Sequence, residues 1–352
     1  MPDTTIPATD VQKPSDHPDL PKPKVGILVA NLGTPDGTDY WSIRRYLDEF
    51  LSDRRVVDYP AWKWQPILKG IILTMRPRKS GAAYRKIWNT QRDESPLLTI
   101  TRAQSEKIAA RLGEKYADQI VVDFCMRYGN PSTESVIRRL KDQGCERIVF
   151  FPLYPQYGSP TTASANDQAF RVLMKMKWQP AIRTVPAYFA HPAYVKALAN
   201  SVREAYKNLP EKPERLVVSY HGTYARYLHE GDPYYCHCLA TTRLLAQELD
   251  CGPDHLITTF QSKFGPEKWV EPATSDAVTR LGQNGIRNIA IIAPAFSADC
   301  LETLEEINDE ICEDFKAAGG QDFTYIPCLN ERDDHITALL AILENEMEGW
   351  VS

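Results

Sequence analysis

Short apolar runs alternate with segments of helical periodicity along almost the whole chain. The apolar runs predict eight strands, the last of them the weakest, at residues 25–31, 120–126, 147–153, 182–186, 215–220, 255–260, 288–294 and 323–326. Between them, apolar residues recur roughly every three to four positions, which predicts helices at 101–115, 132–143, 192–207, 241–249 and 301–315. Such alternation of strand and helix is typical of βαβ units and parallel sheets.

Eight strands are enough for two sheets of four, and the chain length points the same way. At 352 residues the chain exceeds the roughly 250–300 residues at which single cores stop growing, so two domains are expected. Prolines and a tryptophan cluster near 178–192 and predict a boundary there, with a first domain at 25–180 and a second at 181–332. The last helical stretch, 333–348, is expected to return and pack on the first domain. The predicted class is therefore α/β with two four-stranded parallel sheets.

Composition and charge restrict the function further. The hydrophobic fraction of 43% and charged fraction of 25% are ordinary for a globular protein, and the net charge of −5 argues against a nucleic-acid-binding surface. No stretch approaches the ~20 apolar residues needed to cross a bilayer. Residues 1–24 hold six prolines and four aspartates. They lack the apolar segment of a signal peptide and the arginines of a mitochondrial transit peptide, and they predict a disordered tail.

Cysteine usage points to a reducing compartment. The eight cysteines form no C-x-x-C pair, and the chain has no secretory signal. They predict reduced and mostly buried thiols in a cytoplasmic protein. Cys236-His237-Cys238 is the cluster that suggests a soft metal, but ligands this close rarely complete a tetrahedral zinc site without further pairs, so we do not expect a metal there.

Two of the predicted strands end in reactive side chains. The strand at 215–220 runs into His221, and the strand at 288–294 leads to Glu302. In an open parallel sheet ligands bind beyond the carboxyl ends of the strands, so an imidazole and a carboxylate at two such ends can face one cleft. Neutral histidine is both a proton acceptor near neutral pH and a common ligand for intermediate metals. The pair predicts a metal-handling cleft.

Each member of this pair also has a plainer structural explanation. His221 taken alone is explained about equally well as a satisfied histidine at a strand end. Asp299 followed three residues later by Glu302 resembles a helix N-cap with its capping-box partner, and local chemistry favours this interpretation. Against it, Glu302, Glu306 and Glu310 recur at i, i+4 and i+8, which places three mutually repelling carboxylates along one helix face. Such a face is usually solvated; the alternative is a path for a cation.

Unusual loops follow three of the other predicted strands, at 32–35, 127–131 and 154–162. They place arginine, tyrosine and hydroxyl groups on the same rim as His221 and Glu302. An aromatic and partly cationic rim suits a flat apolar ligand that bears carboxylates. The loop after the first strand lacks both G-x-G-x-x-G and the P-loop lysine, so nucleotide binding has no support.

The segment 59–79 mixes tryptophan, isoleucine and methionine with five cationic residues. An amphipathic core helix is its plainest interpretation. The alternative is a lip that covers a ligand and touches a membrane surface.

A series of motifs follows in order along the chain: Gly26-Ile27-Leu28 with Asn31-Leu32-Gly33-Thr34-Pro35, Arg127-Tyr128-Gly129-Asn130-Pro131, Leu153-Tyr154-Pro155-Gln156-Tyr157, Ser219-Tyr220-His221-Gly222, Gly231-Asp232-Pro233-Tyr234, Gln261-Ser262-Lys263-Phe264-Gly265 and Phe296-Ser297-Ala298-Asp299-Cys300-Leu301-Glu302-Thr303-Leu304. In this order they resemble the motifs of the ferrochelatase family, whose members insert ferrous iron into protoporphyrin IX in the last step of haem synthesis. The resemblance spans about residues 24–348, so only the tail falls outside it.

The resemblance implies two Rossmann-like α/β domains of the chelatase type, with four-stranded parallel sheets flanked by helices and an active-site cleft between them. It implies a ferrochelatase of bacterial type, in the lyase class, with Fe²⁺ as a substrate and no permanently bound cofactor. His221 and Glu302 match the family's iron-site residues, where the histidine is assigned proton abstraction, and Glu306 and Glu310 match an acidic line on an irregular helix. The motifs and the aromatic loops together predict porphyrin contacts at Leu32, Tyr84, Arg127, Tyr128, Tyr154, Tyr157 and Phe296.

Two departures limit what the resemblance implies. Some members carry a histidine directly after the aspartate that matches Asp299; Cys300 stands there in this chain, so no role of that histidine transfers. Members with a [2Fe–2S] cluster usually carry several cysteines near the C-terminus. Here no cysteine follows Cys328, and Ser159 stands where the animal enzymes have an internal ligand. We therefore predict no cluster.

Alternatives remain for the substrate and for the class of protein. Coproporphyrin III as the iron acceptor changes the substrate and not the mechanism. A chelatase for cobalt or nickel has fewer residues or repeated histidine-rich sites, whereas only seven histidines are scattered here. A non-catalytic porphyrin- or haem-binding protein would use the same cleft without a base and a carboxylate line. The expected partners are protoporphyrin IX, ferrous iron, an inner-membrane surface touched by 59–79, and other enzymes of the haem pathway, with no nucleic acid.

Overall fold

A computed structural model describes Asp16, residues 22–252 and residues 254–351. The tail predicted at 1–24 therefore lies mostly outside the described residues. The strands are β1 (Lys24–Thr34), β2 (Ile120–Gly129), β3 (Cys145–Pro152), β4 (Ala181–Thr184), β5 (Arg215–His221), β6 (Leu256–Gln261), β7 (Asn288–Ile292) and β8 (Asp322–Ile326). Each of the predicted strands is present.

The α-helices are α1 (Tyr40–Ser52), α2 (Ala61–Ile67), α3 (Leu73–Ile87), α4 (Pro96–Tyr116), α5 (Thr133–Asp142), α6 (Ser164–Met174), α7 (Pro192–Lys207), α8 (Ala225–His229), α9 (Tyr234–Leu249), α10 (Thr274–Gln283), α11 (Cys312–Ala317) and α12 (Asp333–Met347). Three segments are π-helical, at Leu68–Ile72, Ser159–Ala163 and Glu302–Ile311, and Ala117–Gln119 forms a 3₁₀ turn. The segment Glu302–Ile311 is called the acidic π-helix below. The predicted helix at 301–315 is thus a π-helix followed by α11.

The strands form two parallel sheets of four, with the orders β2-β1-β3-β4 and β6-β5-β7-β8. This confirms the predicted α/β class and its two four-stranded parallel sheets. Helices cover both faces of each sheet, so central-strand residues such as Ile27, Leu28, Val217 and Val218 are fully buried. Burial on both faces explains why these strands read as continuous apolar runs without alternation.

The predicted domain boundary needs a shift. β4 pairs with β3 and so belongs to the first sheet, although it follows residue 181, where the second domain was expected to begin. A boundary between 180 and 181 would cut the edge strand away from its only neighbour in that sheet. We propose a boundary after β4, in the segment 185–191 that leads into α7.

The last helix spans the two halves. α12 packs on α4 and β3 of the first half and on α7, which precedes the second sheet. Its end is anchored beside the edge strand β4, where Arg183 donates to the carbonyls of Glu346 and Glu348 at 2.7 and 2.9 Å. α12 therefore contacts elements of both halves, and its packing on the first domain stays a proposal.

Candidate active site

The carboxyl ends of both sheets open into a cavity of about 540 Å³. Its wall includes Leu32 from β1, Tyr154 after β3, His221 at the end of β5, Ser262 after β6 and Phe296 after β7. This is the edge at which open parallel sheets bind ligands. The cavity therefore lies where the strand-end argument expected it.

Most of the predicted site residues line this cavity, namely Leu32, Tyr84, Tyr154, His221, Phe296, Glu302, Glu306 and Glu310. Arg127 and Tyr157 lie instead along a second, charged depression of about 1080 Å³. Tyr128 is fully buried. The predicted set thus divides into a group around the cavity and a group beside it.

His221 is held in one tautomer by the backbone carbonyl of the next residue, Gly222. Its Nδ1 lies 2.7 Å from the carbonyl oxygen of Gly222. A carbonyl oxygen can only accept, so Nδ1 carries the proton of the neutral ring and Nε2 keeps its lone pair. Nε2 is therefore the basic atom that His221 offers to the cavity.

The glycine after His221 permits this geometry. Gly222 donates its N–H to the carbonyl of Gln261 at 2.8 Å, which brings the ends of β5 and β6 close together. A Cβ at Gly222 would lie 2.7 Å from that same carbonyl oxygen and 2.9 Å from the ring of Trp269. Any larger residue would push β5 away from its neighbour and move the imidazole.

The carboxylate of Glu306 is fixed by the end of β6. It accepts from the Ser262 N–H at 2.6 Å, from Ser262 Oγ at 2.5 Å and from Gln261 Nε2 at 3.3 Å. Gln261 Nε2 also donates to the carbonyl of Glu302 at 2.9 Å, and Gln261 Oε1 accepts from Ser219 Oγ at 2.8 Å. These contacts tie the acidic π-helix to the strand that carries the histidine. Gln261 and Ser262 belong to one of the motifs named above but were not predicted as site residues; their position directly after a predicted strand was the available signal.

The capping-box interpretation of Asp299 and Glu302 is wrong. Asp299 Oδ1 accepts from Thr303 Oγ1 at 3.2 Å, and its Oδ2 accepts from Asn330 Nδ2 at 2.7 Å, so its carboxylate caps no N–H of this helix. The side chain that reaches back is Thr303, whose Oγ1 accepts from the Cys300 N–H at 3.0 Å. Glu302 is left as a cavity-lining carboxylate.

The negative charge of Glu302 is felt by its neighbours. Burial, and after it the charge on Glu302, raises the pKa of the Tyr84 phenol and of the Cys300 thiol. Both groups therefore stay protonated at neutral pH and surround the carboxylate as neutral side chains. Further out, burial and the charges of Glu305 and Glu306 raise the pKa of Glu310. The outer end of the acidic π-helix thus takes up a proton more readily than a free glutamate.

Comparison with known proteins identifies the family. The family model described as ferrochelatase matches residues 24–347. The chain belongs to the ferrochelatase family. The ferrochelatase of Rhodobacter capsulatus is 60% identical over 339 residues, which cover 96% of this chain and 97% of that protein. The ferrochelatase of Chelativorans sp. (strain BNC1) is 52% identical over 339 residues, with 96% of each chain covered.

A solved structure supports the fold. The structure of SirB from Bacillus subtilis with Fe³⁺ superposes with a TM-score of 0.55 at 13% identity, covering 93% of this chain and 97% of that one. At this identity the likeness shows the fold alone. It confirms the predicted chelatase fold of two α/β units, and the family match confirms the resemblance to ferrochelatases.

Three cationic side chains line the cavity of this ferrochelatase-family chain, and the sequence analysis had not assigned them to the site. Arg76 and Lys79, one turn apart on α3, and Lys263 after β6 are exposed and line the cavity. The Arg76 guanidinium lies 6.0 Å from the ring centre of Phe264. Their spacing on the amphipathic segment 59–79 was the signal that could have found the first two.

Arg127 and Tyr128 make up a buried cluster beside the cavity. Arg127 is 7% exposed, forms an ion pair with Asp53, and donates to the carbonyl and the hydroxyl of Ser164 at 3.0 and 2.7 Å. The Tyr128 hydroxyl donates to the same carboxylate at 2.8 Å. In this arrangement neither side chain is presented to the cavity, so the structure does not bring them to the predicted porphyrin contacts. Their partner Asp53, at the C-cap of α1, could not be foreseen from local pattern.

This cluster predicts a stability effect. Burial acts to raise the pKa of Asp53, but hydrogen bonds from Ser164 and from the Arg55 N–H, together with the charge of Arg127, hold it below its ordinary value. Arg127→Met leaves a buried carboxylate unpaired, and we expect it to lower the free energy of unfolding by about 3–5 kcal/mol in urea titrations. Arg171→Met, which removes an exposed ion pair on α6, should cost less than about 1 kcal/mol.

The pH dependence provides a check on the cause. A carboxyl whose pKa is lowered by folding contributes stability above its unfolded pKa and loses it as pH falls through its folded pKa. The difference between wild type and Arg127→Met should therefore shrink in acid. A difference that stays constant with pH, or one no larger than that of Arg171→Met, would refute the assigned role of the ion pair.

Proposed function

We propose that this protein inserts Fe²⁺ into protoporphyrin IX to form protohaem, with release of two protons, in the last step of haem synthesis. It would act as a metal chelatase of the lyase class. The observation that carries the proposal is the placement of a base and a carboxylate, His221 and Glu302, on one cavity of a chain in the ferrochelatase family. A protein that only stored porphyrin would have no use for either group at that place.

Metalation needs a base for the pyrrole N–H protons. His221 Nε2 is the candidate, because Nδ1 is already protonated and bound to the Gly222 carbonyl. Glu302 would either carry these protons away or hold the incoming metal. The Tyr84 phenol and the Cys300 thiol, whose pKa values are raised by burial, stay protonated and add no negative charge beside it.

Iron must shed water before it reaches the ring. Oxygen and imidazole ligands can exchange with that water without binding the metal too tightly. Glu302, Glu306 and Glu310 all line the cavity from one helix, and the outermost is exposed. We therefore assign the acidic π-helix as the entry path. Because three donors already hold Glu306, its carboxylate would guide the ion from a fixed position.

The rest of the cavity suits a flat dicarboxylic ring. Leu32 and Phe296 supply apolar surface, and the exposed cations Arg76, Lys79 and Lys263 supply partners for propionates. Its volume of about 540 Å³ falls within the roughly 300–1,000 Å³ of ligand pockets. Binding energy from the periphery would support distortion of the ring, which exposes the nitrogen lone pairs.

We propose that the reaction proceeds without a resident cofactor or [2Fe–2S] cluster. Ser159 uses its backbone N–H to bind Asp232 at 2.6 Å, and its side chain offers no thiolate. Iron then enters the chemistry as a substrate.

The deciding experiment is anaerobic incubation of the protein with Fe²⁺ and either protoporphyrin IX or coproporphyrin III, with loss of porphyrin fluorescence as the readout. We expect faster metalation of protoporphyrin IX. Preference for coproporphyrin III, which carries more carboxylates, would establish the alternative substrate and keep the mechanism. Tight binding of both porphyrins without metalation would establish a binding protein instead.

The segment 59–79 is proposed to contact the inner membrane from the cytoplasmic side. Leu68 and Leu73 enter the core, as the core-helix interpretation expected, but Trp62, Ile67, Ile71 and Met75 are exposed. Within the described residues, the helices are too short or too polar to span a bilayer. Exposed apolar side chains among lysines and arginines suit the surface of an anionic bilayer.

Vesicle binding tests this contact. Trp62→Ser with Met75→Ser should reduce co-sedimentation with anionic phospholipid vesicles by about tenfold or more, since two large apolar anchors are lost. The matched control is Trp178→Ser with Met174→Ser, since Trp178 and Met174 are 46% and 79% exposed against 75% and 70% for Trp62 and Met75. Equal losses in the two double variants would rule out 59–79 as the specific contact.

A further inference from the structure

One wall of the cavity is a loop of the first half that rests on a helix of the second half. The loop runs from the end of β3 to the π-helix Ser159–Ala163, and Leu153, Tyr154 and Gln156 line the cavity from it. The facing element is α9 with the turn before it, and its first residue, Tyr234, lines the cavity as well. The shape of this wall therefore depends on how the loop is held against α9.

Three hydrogen bonds join the loop to this part of the second half: Gln156 Nε2 to Thr241 Oγ1 at 3.0 Å, the Tyr157 N–H to His237 Nδ1 at 3.2 Å, and the Ser159 N–H to Asp232 Oδ2 at 2.6 Å. The approach is close, because a Cβ added at Gly158 would lie 3.3 Å from the Tyr234 ring. The acceptor of the second bond, from the Tyr157 N–H, is the histidine of the Cys236-His237-Cys238 cluster.

His237 is locked by two contacts at once. Its ring stacks on Phe189 with centroids 3.8 Å apart and planes at 14°. A backbone N–H can only donate, so Nδ1 is the unprotonated acceptor and the ring is neutral. Burial lowers the pKa of His237, against a smaller opposing effect of the Asp232 charge. The neutral form that the bond requires is therefore the one that folding favours.

The neighbouring cysteines take no part in this arrangement. Cys236 is exposed to solvent and Cys238 is fully buried in the core. The three side chains of the cluster thus lie in different environments. The histidine ring stacks on Phe189, and its Nδ1 accepts from the Tyr157 N–H. This accounts for the histidine without a metal.

We infer that His237 is a positioning residue: its ring fixes the backbone of Tyr157 and thereby the cavity wall that carries Tyr154 and Gln156. That this wall receives a porphyrin rests on the function proposed above. The role depends on the acceptor at the δ position, which the stacked ring holds in place. Phenylalanine keeps the ring without the acceptor, and asparagine keeps the acceptor without the ring.

Kinetics separate positioning from chemistry. In the full-length chain, His237→Phe should raise the KM for protoporphyrin IX about fivefold, as expected for one lost hydrogen bond, with kcat little changed. His237→Asn should restore most of that loss, and His229→Phe, at an exposed histidine of α8, should leave KM unchanged. A wild-type KM in His237→Phe, or an equal defect in His237→Asn, would overturn the inference.

Amide hydrogen exchange tests the same contact without activity. The Tyr157 amide should exchange about fivefold faster in His237→Phe than in wild type, and His237→Asn should stay near wild type. Unchanged exchange at Tyr157 would overturn the inference even if iron insertion is intact. Conversely, if the wild-type protein metalates no porphyrin, the proposed function fails while the exchange rates still decide the role of His237.

Discussion

His221→Ala is expected to abolish measurable iron insertion while porphyrin binding persists. The substitution removes the lone pair on Nε2, and loss of a general base typically costs about 10²–10⁴-fold in rate. The ring is only half-buried and bonds to the carbonyl of the next residue, so its removal should leave the fold intact. The measurement is the initial rate of anaerobic metalation, with porphyrin affinity determined separately by fluorescence titration.

His229→Ala is the matched control for this variant. His229 lies at the exposed end of α8, eight residues further along the chain. It should insert iron at the wild-type rate and thereby exclude a general effect of histidine loss on iron handling. A wild-type rate in His221→Ala would show that another group accepts the pyrrole protons.

Glu302→Gln is expected to reduce kcat by about 10²-fold or more, the lower end for loss of an acid–base group. The variant keeps the shape of the side chain and the backbone carbonyl that accepts from Gln261, so only the charge and the proton-accepting oxygens change. If Glu302 holds the incoming metal, the KM for Fe²⁺ rises as well. If it carries protons, kcat falls with the KM for Fe²⁺ unchanged.

The control for the carboxylate is Glu313→Gln on α11, which neutralises an exposed glutamate just beyond the acidic π-helix. It changes the net charge equally and should leave both kinetic constants within about twofold of wild type, because an exposed charge is screened. If the two variants lose activity to the same extent, the loss is caused by the lower total negative charge of this region, and the specific role of Glu302 is refuted.

Strand positions and the location of the cavity followed from the sequence because both are local. A continuous apolar run identifies a buried parallel strand, and His221 stands directly at the end of one. The rule that ligands bind at the carboxyl ends of strands then needs no long-range information. The three glutamates Glu302, Glu306 and Glu310 could likewise be placed on one helix face from their spacing, although the π-helical geometry of Glu302–Ile311 could not.

The remaining features depend on residues that are distant in sequence. Asp299 looked like a helix cap because its neighbours in the chain suggested one, yet Asn330, 31 residues away, takes one of its oxygens. Arg127 looked available for a ligand because its partner Asp53 lies 74 residues earlier. In both cases a side chain had a local interpretation and a distant partner that decides its role.

The spacing of residues along the chain also could not predict the side-chain contacts of Gln261. Its amide contacts three residues on two elements: Ser219 on β5, and the Glu302 carbonyl and Glu306 carboxylate of the acidic π-helix. Each of these contacts depends on how the second sheet stacks its strands and on where the following helix begins. Only the fold brings them together.

The hydrogen bond between His221 Nδ1 and the Gly222 carbonyl limits how many protons the ring can accept as well as its tautomer. With Nδ1 already protonated, the imidazole can accept only one further proton, whereas metalation must remove two. If His221 is the base proposed above, the first proton must leave Nε2 before the ring can accept the second. We therefore expect two consecutive deprotonations and a group that carries the first proton outward in each turnover.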